Sequence, residues 1–392
     1  MARLKIAVDP WALAPRFRHQ GTNVYARKLV CEFRKAAARL PDVEFTLFGS
    51  ADWRDPALVD AGPGFSFVSS RLVQRDRMWR IGGASFAARR IAADLIFSPS
   101  SNIFPLTSPP MVCTIHDATP FLMPSQSPRM VMAQRFFMRA AARRSRAIIT
   151  VSNRSKQDLV AICGVPEDKV TVVHNGYDRE LFNLEPADAG KLQALQTRLR
   201  VQRSYIFHHG VIQPRKNLKR LIEAWHLLLS RRRDLQLDLV LAGPIGRGHE
   251  QVFRVGEERS SERGRMIFAG MLSDTELALA LKGSALAVIP SLYEGFCLPM
   301  VEAMACGVPT IVSNNSCFPE VSGNVLLYFD PLSVEDIAAK MESVLGDSEL
   351  RARLRAGGLQ RASCFSWQRC GRETLELLLL AAGRELANEE HA

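Results

Sequence analysis

The sequence predicts an α/β protein made of two doubly wound parallel sheets, and three observations point to it. At 392 residues the chain has room for two domains of ~100–200 residues each. Short β-branched and aromatic runs alternate with helical stretches along its length, the order that builds strand–helix–strand units. Several of those runs are almost continuously apolar, as strands covered on both faces of a parallel sheet must be. Twelve strands are expected. Six lie in the first half (4–9, 43–49, 95–98, 111–116, 147–151 and 170–174) and six in the second (205–209, 237–242, 266–269, 285–290, 310–313 and 326–329). Twelve fit two sheets better than one. The pattern lapses between Phe182 and Arg203, where the chain is polar, carries Pro186 and Gly190, and shows no strand. Domains over 1–185 and 200–372, facing a cleft, are therefore expected, with 183–203 as the hinge.

Composition narrows the class. Apolar residues make up 47% of the chain and charged residues 23%, which excludes a disordered protein. No apolar run approaches the ~18 residues of a bilayer span; the longest, LELLLLAA at 375–382, is far shorter. The opening residues, MARLKIAVDP, enter a strand at once and lack the apolar stretch of a signal peptide, so a cytoplasmic location is expected. Cysteines at 31, 113, 163, 297, 306, 317, 364 and 370 form no CxxC pair. They read as reduced thiols, neither a disulfide frame nor a zinc site.

The formal charge of +11 is unevenly spread. Residues 1–185 hold 26 basic and 16 acidic side chains, and residues 186–392 hold 25 and 24. The excess thus lies in the first half and calls for a polyanionic neighbour on that side. It concentrates in 71–90 and 127–146, where Met130, Val131, Phe136, Phe137 and Met138 are interspersed with Arg135, Arg139, Arg143 and Arg144. Two readings stay open for the second stretch. One is a helix lying on an anionic membrane surface, peripheral on the cytoplasmic face of an inner membrane. The other is a helix packed on its own sheet with a solvated arginine face. Nucleic acid is not an expected partner, because no groove-reading module or basic–aromatic motif appears.

Taken in chain order, the first segment of interest is RFRHQGTNVYARKLVCEF (16–33), between the first strand and the first helix. MVCTIHDATPFLMP (111–124) ends an apolar strand on His116 and Asp117, the place where a ligand residue of an open α/β sheet stands; a structural histidine reads equally well. In TVSNRSKQDL (150–159), Ser152 and Ser155 read first as helix caps, and Asn175-Gly176 reads as a turn. HHGVIQPRKNLKRLIEAW (208–225) follows a strand, and Gly210 permits a tight turn there. Arg215 and Lys216 precede a helix whose Leu218, Leu221, Ile222 and Trp225 recur at helical spacing. Two cations at a helix start oppose its dipole. An anion between them removes the conflict, and a diphosphate has the right charge; from these residues alone, a solvated Arg-Lys pair reads equally well.

The richest segment is ALAVIPSLYEGFCLPMVEAMACGVPTIVSNNSCFPEVSG (285–323). It reads as strand, loop, helix and strand, with Pro299 in the first helical turn and Gly307 just past the last. A glycine-containing loop before a helix N-terminus is an anion site, and Glu294 and Glu302 flank it with acceptors for hydroxyl groups. Read singly, each glutamate is also an ordinary solvated side chain. No aspartate-rich metal motif appears. No GxGxxG follows the first strand, against a nicotinamide-dependent enzyme.

EGFCLPMVEAMACGVP closely resembles the E-x7-E signature of retaining glycosyltransferases with the two-Rossmann GT-B fold. The resemblance implies that Glu294 meets hydroxyls of a donor sugar and Glu302 the nucleotide ribose. Backbone at Gly295, Phe296, Cys297 and Leu298 then lies near sugar or phosphate, and the family usually has glycine where this chain has Cys297. PRKNL resembles the family's pyrophosphate clamp, which implies that Arg215 and Lys216, beyond the Gly210 turn, replace a divalent metal, with neither a metal nor a cofactor besides the donor substrate. His116 and Asp117 resemble a His-Asp pair lining the reaction centre, with the histidine beside the sugar. Gly21 and Tyr25 match part of a G-x-G-x-Y loop, while Asn23 replaces its second glycine and shifts the expectation toward acceptor contact by Thr22 or Asn23. FAGMLSDTEL (268–277) resembles the border of the base site. SWQRCGRETLELLLL (366–380) resembles the helix that crosses back to the first domain, expected over 373–392.

Catalysis is accordingly assigned to His116, Arg215, Lys216 and Glu294. Substrate binding goes to Gly21, Thr22, Asn23, Asp117, Gly210, Gly295, Phe296, Cys297, Leu298 and Glu302. The expected function is retaining, metal-independent transfer of a mannose-like hexose from a nucleoside diphosphate sugar to a hydroxyl of a saccharide acceptor, lipid-pyrophosphate-linked or free, in bacterial surface polysaccharide synthesis. A nucleotide-sugar epimerase of the same fold and a catalytically inactive nucleotide-sugar-binding protein are the alternatives.

Overall fold

The computed structural model describes residues 3–18, 20–53, 55–104, 108–123, 127–250, 252, 254 and 263–384. The chain forms two compact units. The first takes the described residues up to Leu122, Ser127–Gly176 and those from Trp367 onward; the second takes Met123 and the described residues of Tyr177–Ser366.

The first unit carries β1 (Leu4–Val8), β2 (Val43–Gly49), β3 (Phe65–Ser69), β4 (Leu95–Ser98), β5 (Met111–Thr114), β6 (Ala147–Thr150) and β7 (Val170–Val172). They form one parallel sheet in the order β3-β2-β1-β4-β5-β6-β7. The second unit carries β8 (Ser204–His209), β9 (Leu237–Ala242), β10 (Met266–Gly270), β11 (Leu286–Ile289), β12 (Thr310–Ser313) and β13 (Leu327–Phe329). These are parallel too, in the order β10-β9-β8-β11-β12-β13. Strand order reverses beside β1 and β4 in one sheet and beside β8 and β11 in the other. Such reversals open a crevice at the carboxyl ends of the flanking strands, the usual ligand position in open α/β sheets.

Each sheet is covered by amphipathic helices. In the second unit the helix Leu218–Arg231 buries Leu218, Leu221, Ile222, Trp225 and Leu228 against Leu239, Val288 and Ile311 of the sheet. Trp225 is 1% exposed and donates its indole N–H to the Leu237 carbonyl at 3.0 Å. Burying an indole of roughly 200 Å² is worth about 5 kcal/mol at 25 cal/mol/Å². In the first unit Ile96, Met111, Cys113 and Ile148 meet Met138 and Ala141 of the helix Pro128–Arg144. The helix Trp367–Ala381 also packs in the first unit, where Gly371 lies so close to Glu32 that an added Cβ would sit 2.5 Å from it. All eight cysteines are free.

Three expectations need correction. The edge strand β3 is absent from the sequence reading: it pairs with β2 alone, and only Phe65 of its five residues is buried, so it lacks the continuous apolar run of a covered strand. Several strands are also shorter by one or two residues, β5 ending at Thr114 and β7 at Val172. Finally, the lapse at 183–203 is not where the units part. It holds the helix Ala189–Leu199, whose Asp188 cap accepts from the Lys191 N–H at 3.0 Å and whose Leu192 lies over Gly283 of the second unit. The chain passes between units at Gly176–Tyr177 and returns at Ser366–Trp367. That helix exposes most of its surface, which hid its periodicity.

Candidate functional site

The second unit gathers its charged residues at the reversal between β8 and β11. β8 runs straight into Gly210, whose φ of +141° suits a residue without Cβ. A short turn over Pro214–Lys216 follows, and Asn217 at φ +57° redirects the chain into the helix Leu218–Arg231. The turn carries Arg215 and Lys216 to the loop beyond β11. There Arg215 Nη1 lies 2.6 Å from Glu294 Oε2, and Lys216 Nζ lies 2.6 Å from Glu294 Oε1. Arg215 also donates to the Tyr293 carbonyl, while its own carbonyl accepts from the Leu292 N–H at 2.9 Å. The carboxylate is gripped on both oxygens.

Glu294 is 7% exposed and Lys216 6%. Burial alone raises the Glu294 pKa, but Arg215 and Lys216 outweigh it and hold the carboxyl down at about 2. The cluster therefore carries two cations and one anion in a desolvated pocket, an arrangement with room for further negative charge. Ser316 fixes the loop. Its Oγ accepts from the Glu294 N–H at 3.0 Å and donates to the Glu294 carbonyl at 2.6 Å. The expected anion between Arg215 and Lys216 is thus present as a side chain of the protein, a pairing that the sequence reading did not contain.

The helix Leu298–Ala305 starts directly after this loop, with no side-chain cap at Cys297. Cys297 has φ +68°, a conformation glycine adopts without cost, which accounts for the glycine usual at that position. Its thiol is inert, since burial pushes its pKa up to about 12. Phe296 is 3% exposed and packs edge-on against Phe365 at 5.2 Å. Glu302, one turn into the helix, holds His209 Nε2 at 2.7 Å from Oε2. His209 itself stacks on Phe207 with centroids 5.7 Å apart. Sequence reasoning missed His209; its position at the end of an apolar strand beside a glycine was the available signal.

The first unit places His116 and Asp117 just beyond β5. His116 Nε2 lies 3.1 Å from the Pro99 carbonyl, which can only accept, so that nitrogen carries the proton. The ring meets Tyr25 edge-on at 4.7 Å, and burial lowers its pKa, which keeps it neutral. Ser155 Oγ donates to the His116 carbonyl at 3.0 Å, while Ser152 caps the helix Asn153–Cys163 through the Ser155 N–H. Asp117 Oδ1 closes a turn by accepting from the Thr119 N–H at 2.8 Å. Gly21, Thr22 and Asn23 open the helix Gly21–Ala37 and do not form a loop. Asn23 is 2% exposed and donates its side-chain N–H to the Ala12 carbonyl at 2.8 Å, while its Oδ1 has no hydrogen-bond partner among the described residues. Asp9, at the end of β1, was not anticipated. It is buried and accepts from Trp79 Nε1 and from Ser98 Oγ, each at 2.7 Å. Among the described residues no cluster of three or more His, Cys, Asp or Glu has the geometry of a metal site.

Comparison with known proteins bears on what this arrangement does. Residues 194–361 match the family model described as glycosyl transferases group 1, and residues 20–181 match that described as glycosyltransferase family 4. The O-antigen chain mannosyltransferase B of Escherichia coli is 31% identical over 265 residues, which cover 67% of this chain and 68% of that protein. The serotype-specific mannosyltransferase WbdA of Escherichia coli is 32% identical over 259 residues, 65% of this chain but only 32% of that longer protein. Among solved structures, a glycosyltransferase from Rickettsia africae superposes with a TM-score of 0.72 at 16% identity, over 97% of this chain and 99% of that one. HepE of Anabaena, in complex with UDP-glucose, gives 0.69 at 18% identity over 96% and 99%. The last two likenesses show the fold.

Proposed function

The chain belongs to the group 1 glycosyltransferases, and from that premise we propose that it moves a mannose-like hexose from a nucleoside diphosphate sugar to a saccharide hydroxyl, with retention and without a metal. The observation that carries this reading is the buried Arg215–Glu294–Lys216 cluster at the strand-order reversal. Loss of the sugar leaves two phosphates with growing negative charge. Cations fixed in a dry pocket stabilise such charge with no reorganisation at the moment of reaction, usually the largest contribution to a rate enhancement. That role is assigned to Arg215 and Lys216, each 2.6 Å from an oxygen of the Glu294 carboxylate. Glu294 keeps them paired before the donor arrives, and its ionised oxygens then become acceptors for sugar hydroxyls. Glu302 serves the ribose, with its second oxygen steadied by His209. His116, neutral with Nδ1 free of a proton, is assigned to the sugar by resemblance.

A panel of nucleoside diphosphate hexoses, offered with oligosaccharide acceptors, tests the reading. Transfer is expected, strongest from a mannose-configured donor, and proton NMR of the product should show the donor's anomeric configuration kept. An inverted product removes retention, and epimerised donor without transfer removes the transferase.

The acceptor side of the proposal concerns the first unit. There Met78, Ile81, Phe86, Met130, Met132 and Phe136 are 44–70% exposed. The helix Pro128–Arg144 contributes five arginines and no acid. Arg144 lies over Phe104, which stacks on Phe136 at 5.9 Å, and Arg80 lies over Phe137. Apolar tips among cations suit an anionic bilayer surface, in keeping with a lipid-pyrophosphate-linked acceptor. Among the described residues no helix is long and apolar enough to cross a membrane. Co-sedimentation should be strong with phosphatidylglycerol-containing vesicles, weak with phosphatidylcholine alone, and reduced by salt. Equal binding to both vesicle types rules out the electrostatic contact.

A further inference from the structure

Two buried groups beside Gly210 have hydrogen-bonding capacity that the protein leaves unspent. His208 is 2% exposed, and its Nδ1 lies 2.9 Å from the Val288 carbonyl. A carbonyl only accepts, so Nδ1 carries the proton and Nε2 presents a bare lone pair. That atom is buried and has no hydrogen-bond partner among the described residues. The ring stays neutral, since burial and the neighbouring Lys216 charge push its pKa down to about 3. Lys216 has three N–H donors, of which Glu294 Oε1 takes one.

Both groups face the position that a side chain at Gly210 would occupy. A Cβ built on Gly210 would lie 3.4 Å from Lys216 Nζ and 3.9 Å from His208 Nε2. A donor and an acceptor therefore converge on one small volume. A phosphate oxygen satisfies the ammonium but cannot donate to the imidazole. A hydroxyl does both, because it accepts on its lone pairs and donates through its O–H. We infer that the space over Gly210 is a hydroxyl subsite, in which one hydroxyl of the nucleotide sugar donates to His208 Nε2 and accepts from Lys216 Nζ. The inference rests on the donor reading above and makes His208 a determinant of which sugar or ribose hydroxyl must be present. Its value lies in the penalty for omission: a ligand lacking that hydroxyl leaves a buried lone pair and a buried N–H unpaired.

The test uses the wild-type chain with uniformly ¹⁵N-labelled histidine, titrated with GDP-mannose, UDP-glucose, and the matching nucleoside diphosphates. A hydrogen bond to an imidazole lone pair moves that nitrogen resonance upfield, and His208 Nε2 should move on saturation. Movement with the nucleoside diphosphate alone assigns the ribose; movement only with the complete donor assigns the hexose. Monodeoxy donors then identify the position, with one analogue binding roughly 10- to 100-fold more weakly than its parent. In His208→Phe, which keeps a planar ring but no lone pair, that one penalty should fall below about threefold while the others stay. Donor binding that leaves Nε2 unmoved overturns the subsite and leaves an ordered water as its occupant. Absence of any donor binding overturns the donor reading itself, so the two failures are told apart.

Discussion

Glu294→Gln is expected to lower transfer by at least ~100-fold and to destabilise the second unit by about 3–5 kcal/mol. The activity loss follows from removing a carboxylate that both orders the cations and accepts from the sugar. The stability loss follows because the buried Lys216 and the half-buried Arg215 would be left with their shared anion gone. Breaking a buried ion pair from one side costs that much, since the partner's desolvation is no longer offset. The pH dependence has a definite sign. Glu294 titrates near 4.5 when unfolded and at about 2 when folded. A depressed carboxyl stabilises the fold fully above 4.5, and the contribution is lost as pH falls from there toward 2. Chemical unfolding of wild type and Glu294→Gln should therefore differ most at neutral pH and converge near pH 2–3. A gap that is unchanged by acid shows that the ion pair is not its source.

Lys216→Ala is expected to cost ~10²–10³-fold in kcat, the range seen when one preorganised donor to developing negative charge is removed. Arg215 remains on Glu294 in that variant, so the fold should suffer less than in Glu294→Gln. Lys216→Arg should not restore the rate. The planar guanidinium spreads its donors over a fixed fork and does not reproduce the compact contact of Lys216 Nζ with Glu294 Oε1 at 2.6 Å. Full activity in either variant removes Lys216 from the chemistry.

Much of this was legible beforehand because parallel strands announce themselves as short apolar runs and because Pro299 and Gly307 mark the ends of a helix. What stayed hidden involves distance along the chain. Glu294 lies 78 residues from Lys216, and His209 lies 93 from Glu302. They meet only because β8 pairs directly with β11 although β9 and β10 lie between them in sequence, a topology that local periodicity does not encode. Ser316 escaped notice for the same reason, since its role is to hold backbone delivered from β11. The segment at Gly21 read as a loop because it matched part of a G-x-G-x-Y pattern, whereas the chain is already helical there and Asn23 donates to the Ala12 carbonyl. The helix Ala189–Leu199 escaped because it buries little beyond Leu195.

The central claim is that an arginine–lysine pair, held ready by a buried glutamate, does the work of a divalent cation. Hexose transfer by the metal-stripped protein in excess EDTA measures it directly. The account predicts a rate equal to that without chelator and unchanged on adding Mg²⁺ or Mn²⁺. Activity abolished by EDTA and restored by either cation contradicts it.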